Sequence, residues 1–298
     1  MENKIYGIEH SYFEIKRLIS NIVAKYPFIG TYNIGKSVAG REIPLLTLGT
    51  KNDFTLFVAG DNPVCRINTL ILLNFISELS EKISAGEQMC GINIRKAMFG
   101  RGIAILPLVN PDGFEIASRG EKGCGHMATK ISRLCGGDFS KWRANLRGVE
   151  ISRNFFCEFE QRKCAERQKN ICGPRFEGFS GYRPESEPET LALSDFCKNK
   201  NIRQMIHLSA FGQTVMYSGS NFVPPRSVKM AEVMAAVSSF TITPPLIKKD
   251  FYLGDWFANE FKKPAITVKI GAGSTPPVSE LTYWYARIRE LLTLSCLF

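Results

Sequence analysis

The sequence predicts one α/β domain spanning residues 1–298, on three observations. Segments with helical apolar spacing alternate with short apolar runs along the whole chain. No internal repeat and no Pro/Ser-rich linker divides it. The 298 residues, 44% hydrophobic and 22% charged, suffice for one large core.

Taken in order, residues 6–26 carry apolar side chains at helical spacing, and Pro27 ends that helix. Two strand-like segments, 28–37 and 42–48, flank a turn at Ala39-Gly40. Residues 54–59 are a short apolar run closed by Gly60, as expected of a buried strand, and 68–79 return to helical periodicity. The intervening loop, 60–67, therefore sits where a strand passes into a helix, the edge at which open α/β folds place their sites. Another buried strand is expected over 103–108, followed by the turn Asn110-Pro111-Asp112-Gly113. Residues 118–147, rich in Gly, Lys, Arg and Cys, are expected to loop across the surface. The remaining expected elements are a helix over 187–198, strands over 204–209 and 213–217, a helix over 227–238, a strand over 265–270 and a last helix over 278–292.

Composition narrows the function classes. No stretch approaches the ~20 uncharged apolar residues of a membrane-spanning helix, and the first residues are polar and charged, so the expectation is a cytoplasmic chain with no membrane partner. The nine cysteines, at 65, 90, 124, 135, 157, 164, 172, 197 and 296, are odd in number, irregularly spaced and without a CxxC pair, which favours reduced structural thiols. Cys157, Cys164 and Cys172 are a loose metal candidate with no nearby histidine. A net charge of +10 favours anionic partners. The basic residues are scattered, however, and the densest run, 162–169, is broken by Glu166, so it reads as a solvated basic loop and not a nucleic-acid patch.

Several motifs carry a resemblance. Ile34-Gly35-Lys36-Ser37 with Gly40-Arg41-Glu42-Ile43-Pro44 is followed by Asn110-Pro111-Asp112-Gly113. Then come Trp142-Arg143-Ala144-Asn145, the stretch 147–155, Gly173-Pro174 and Ser186-Glu187-Pro188-Glu189-Thr190. In this order and spacing they resemble the zinc carboxypeptidase family, especially its bacterial branch that cuts cell-wall peptides. The resemblance implies a mixed, twisted sheet of about eight strands sandwiched by helices, with the active site on loops at one edge.

The same resemblance implies a zinc held by a histidine and a glutamate three residues apart in the early loop and by a second histidine on a later strand, leaving a fourth position for water. Laying Gly60 on the family glycine puts Asn62 and Cys65 at the first two ligand positions. A slip of one residue offers Asp61, but no register restores a His/Glu pair. His207, in Met205-Ile206-His207-Leu208-Ser209, matches the third ligand and reads as a vestige or a hydrogen-bonded core histidine. His10 and His126 lie in no matching segment. The family's general-base glutamate falls on Lys269, in Thr267-Val268-Lys269-Ile270-Gly271. A protonated lysine cannot activate a metal-bound water. Opposed to a +2 ion at about 5 Å and ε ≈ 20, it would cost roughly 7 kcal/mol, against the ~10–16 kcal/mol that binds a structural zinc.

The anion-binding side matches better. Arg143 falls on the arginine that polarises the scissile carbonyl and Arg153 on the one that grips the substrate's terminal carboxylate, with Ser152 in place of its asparagine neighbour. Tyr252 is a weak match for the family's mobile tyrosine. Glu187 and Glu189 correspond to structural residues at the start of a helix. The expectation is thus a catalytically inactive pseudopeptidase with no cofactor, binding a peptide or small carboxylate through Arg143, Ser152, Arg153 and Lys269. The alternatives are an active metallopeptidase that holds zinc through Cys65, His207 and Asp61 or water; a protein-interaction scaffold; and Cys65 acting as a nucleophile with His207 as its base.

Overall fold

A computed structural model describes residues 11–50, 53–219, 222–244 and 253–298. Strands β1 (Gly30–Lys36), β2 (Glu42–Gly49) and β3 (Phe54–Val58) are followed by a two-stranded hairpin of β4 (Gln88–Met89) and β5 (Ile92–Asn93). Then come β6 (Gly102–Leu106), β7 (Ile202–Ala210), β8 (Thr214–Tyr217), β9 (Thr241–Thr243) and β10 (Ala265–Ile270). All but the hairpin form one eight-stranded mixed sheet in the order β1-β2-β6-β3-β7-β10-β8-β9. β6, β3, β7 and β10 run parallel to one another, and β1, β2 and β8 pair antiparallel.

Every residue of β3 and β6 is buried, which is why both read as short, predominantly apolar runs: a central strand is covered on both faces. Phe57, Ile206, Leu208, Ile266 and Val268 point to one face and pack with the Tyr12–Lys25, Arg66–Ala85, Pro225–Ser238 and Leu281–Ser295 helices. Their alternates Leu56, Val58, Met205 and Ala265 point to the other and pack with Phe155, Leu193, Trp256 and Phe257.

The first helix spans Tyr12–Lys25, with the Ser11 hydroxyl accepting from Glu14 N as its N-cap. Residues 6–10 of the expected helix lie outside the described residues. The surface loop expected over 118–147 is corrected. Asn110-Pro111-Asp112-Gly113 is a helix start, with Asn110 Oδ1 capping Gly113 N, and the Pro111–Arg119 helix leads to a second one at Ala128–Cys135. The glycines that suggested a loop stop these short helices: Gly120 and Gly136 both have positive φ. Cys124, Ile131, Cys135 and Trp142 close a third, smaller core beneath them.

The solvated basic loop expected over 162–169 is likewise corrected. Phe159–Gln168 is a helix whose inward face is Phe159, Arg162 and Glu166. Two of those three are charged, so no apolar period betrays it. Arg162 donates to the carbonyls of Phe155 and Cys157, and Glu166 accepts from Ser180 N at 2.8 Å. The Leu253–Phe261 helix and β9 were also not anticipated.

Candidate functional site

The site lies at the C-terminal edge of the parallel strands. Gly60 turns the chain out of β3 with φ +70°; a Cβ there would lie 2.8 Å from Leu108 Cα, so the loop carrying residues 61–65 departs at a point only glycine fits. That loop is tied to the neighbouring one by Asn110 N, which donates to Gly60 O at 2.9 Å, and by the Asn110 side chain, which donates to Asp61 O at 3.4 Å.

Strand register fixes the floor. Val58, His207, Thr267 and Met216 are lateral partners across β3, β7, β10 and β8. One step nearer the edge on the same face, Ser209, Lys269 and Thr214 form a second row. His207 is therefore one pleat deeper than Lys269, whose partner on β7 is Ser209. The lower row is buried, whereas Ser209, Lys269 and Thr214 are half-buried.

His207 Nε2 lies 3.0 Å from Asp61 Oδ1, with side-chain exposures of 1% and 5%. The core-histidine reading thus has its partner, and the residue offered only by a register slip proves to be the one that meets the imidazole. His207 Nδ1 is buried with no hydrogen-bond partner among the described residues. Asn62 Oδ1 accepts from Val64 N at 3.2 Å, and its carbonyl accepts from Cys65 N at 3.1 Å, so both oxygens shape the loop. Cys65 immediately precedes the Arg66–Ala85 helix and is 2% exposed. Burial, and next the Asp61 carboxylate, push its thiol well above the usual range, with Arg143 and Thr275 opposing. In the metal-free protein, burial and the Asp61 charge thus oppose the thiolate that the nucleophile and ligand alternatives call for.

Trp142, fully buried in the third core, anchors Arg143. Arg143 N donates to Phe176 O at 2.8 Å, and its guanidinium sits 3.0 Å from Glu177 and 5.1 Å from the Phe211 ring centroid. Phe211 holds φ +66° in the turn after β7, an unusual backbone for an aromatic residue. Arg153 Nε is 3.3 Å from Glu150 Oε2, and the Ser152 hydroxyl donates to the same carboxylate at 3.5 Å. Glu150 and Glu177 were missed by sequence reasoning, which had no signal for them: neither lies at a position to which the resemblance gives a role.

Glu187 and Glu189 are structural, as expected, but act through Asn145, whose Nδ2 donates to them at 2.8 and 3.2 Å. Glu189 also accepts from Val38 N at 3.2 Å. Burial raises Glu189 from an ordinary 4.5 to about 7, and the nearby Asp112 charge adds to the rise. Its folded pKa exceeds its unfolded one, so the native state holds the extra proton. The stability this confers is full below about pH 4.5 and lost as pH rises through about 7. Urea midpoints should fall across that window, and Glu189→Gln should flatten the fall.

Cys157, Cys164 and Cys172 do not form a metal set. Cys157 accepts from Asn259 Nδ2 at 2.9 Å, and the other two are exposed. His126 is exposed, while His10 and Tyr252 lie outside the described residues. Among the described residues no three His, Cys, Asp or Glu side chains are grouped so as to hold a metal ion. At the early loop the residues present do not supply the His/Glu pair of a three-ligand zinc: Asn62 and Cys65 stand at those positions, and Asp61 is hydrogen-bonded to His207.

A sequence profile described as zinc carboxypeptidase matches residues 15–242. The chain belongs to the zinc carboxypeptidase family. Within it, the chain is 26% identical over 272 residues to gamma-D-glutamyl-L-diamino acid endopeptidase 1 of Lysinibacillus sphaericus, covering 90% of this chain and 67% of that protein. Bovine thrombin-activatable fibrinolysis inhibitor, solved in complex with tick carboxypeptidase inhibitor, superposes with a TM-score of 0.71 at 18% identity, covering 97% of this chain and 95% of that one. Murein-tripeptide amidase MpaA from Escherichia coli O157 gives 0.52 at 17% identity, over 88% and 91% of the two chains. These superpositions show the zinc carboxypeptidase fold, a mixed eight-stranded sheet between helices. No helix among the described residues is long and apolar enough to cross a membrane.

Proposed function

We propose that this zinc carboxypeptidase relative is a metal-free pseudopeptidase that binds carboxylate-bearing peptides without cutting them. The observation that carries the reading is the Asp61–His207 hydrogen bond at 3.0 Å: the imidazole at the matched ligand position is engaged by a neighbouring carboxylate. Lys269 at the base position supports it, since a cation there favours an anion over a metal. Arg143 and Arg153 supply recognition. Each is paired with a carboxylate of the chain, Glu177 and Glu150, which a ligand carboxylate would displace.

The ligand class follows from the relative named for gamma-D-glutamyl-L-diamino acid bonds: a peptide with one carboxylate on the glutamyl residue and another on the diamino acid. Arg153, with Ser152, takes the terminal carboxylate. The chain acts in a reducing compartment, the cytoplasm, a reading supported by nine unpaired cysteines, two of them exposed. Calorimetric titration of chelator-treated protein with γ-D-glutamyl-L-lysine tests this. Saturable binding is expected; absence of heat over millimolar peptide would sink the reading.

The adjacency of Asp61 and His207 also favours one competitor, a hydrolase in which those two groups ligate an unusual metal site. The competitor requires a metal to replace their direct hydrogen bond and a third donor to be recruited.

A further inference from the structure

We propose that Ser209 and Thr214, the hydroxyls flanking Lys269, form with it the seat for the ligand's glutamyl carboxylate, making them specificity-determining residues. The inference rests on the peptide-binding reading and adds two residues to which no motif gave a role.

The register is the warrant. Lys269 on β10 pairs with Ser209 on parallel β7 and with Thr214 on antiparallel β8. Lateral partners project to the same face, so three polar side chains stand in one row at strand spacing, ~4.8 Å apart. The row beneath them is Val58, His207, Thr267 and Met216, all buried. The polar row is half-buried and lies at the edge where the 61–65 loop and the turn bearing Phe211 open. It holds one cation and two hydroxyls, and each member can donate to an anion. Thr214 Oγ1 is buried with no hydrogen-bond partner among the described residues, so the row keeps an unspent donor beside the ammonium. Gly212 stands beside the row: a Cβ there would lie 3.6 Å from Thr214 Oγ1 and 3.7 Å from Lys269 Cβ, in ordinary contact with both. A carboxylate laid along this row would accept from the ammonium at its centre and from a hydroxyl on either side.

The test is a comparison of two probes on three proteins: wild type, the double variant Ser209→Ala/Thr214→Val, and the conservative pair Ser209→Thr/Thr214→Ser. The probes are γ-D-glutamyl-L-lysine and the same dipeptide with its glutamyl carboxylate converted to the amide, both by calorimetry. Wild type should bind the carboxylate about tenfold more tightly than the amide. The double variant should lose most of that preference, and the conservative pair should keep it. Equal weakening of both probes, or no change in either, would overturn the seat while leaving the peptide-binding reading intact. If wild type bound neither probe, both would fall together.

Discussion

His207→Ala is expected to destabilise the protein by about 3 kcal/mol, lowering the melting temperature by ~8 °C at the few degrees per kcal/mol usual for a chain of this size. The imidazole is 1% exposed and its Asp61 partner 5%, so deleting it leaves a buried carboxylate without its hydrogen-bond partner. Breaking a buried pair by removing one member costs more than the pair itself contributes, because the survivor keeps its desolvation penalty. Asp61→Asn, which still offers an oxygen to the ring, should cost about 1 kcal/mol. Both losses should be the same with and without chelator. A loss that appears only when zinc is present would mean the imidazole serves a metal instead of Asp61.

Lys269→Glu is expected to weaken γ-D-glutamyl-L-lysine about 100-fold, by calorimetric titration. An ammonium about 5 Å from a carboxylate contributes roughly 3 kcal/mol at an effective ε of 20. Reversing the charge replaces that attraction with repulsion of the same order, and partial exposure of the site screens both. The half-buried position of Lys269 between two hydroxyl-bearing strands limits the structural cost of the change. An unchanged affinity would instead favour the scaffold reading, in which the former catalytic edge is unused.

The strands were readable because Gly60 and the predominantly apolar runs of β3 and β6 mark buried parallel strands directly. The Phe159–Gln168 helix was not, since its buried face is made of Arg162 and Glu166, whose partners are backbone groups elsewhere in the chain. The site divides in the same way. Asn62, Cys65 and Lys269 stand out by residue type at motif positions. The Asp61–His207 bond joins residues 146 apart, and the pairing of Lys269 with Ser209 depends on the register of two strands that are far apart in sequence. Glu177 on Arg143 and Glu150 on Arg153 were hidden for a related reason: whether an arginine at a motif position is already matched by a carboxylate depends on where a loop lies.

The central claim is tested most directly by metal analysis of protein purified without chelator, with cleavage of γ-D-glutamyl-L-lysine followed on the same sample. The account predicts zinc far below one equivalent per chain and no release of lysine after zinc is added. Near-stoichiometric zinc accompanied by peptide cleavage would contradict it.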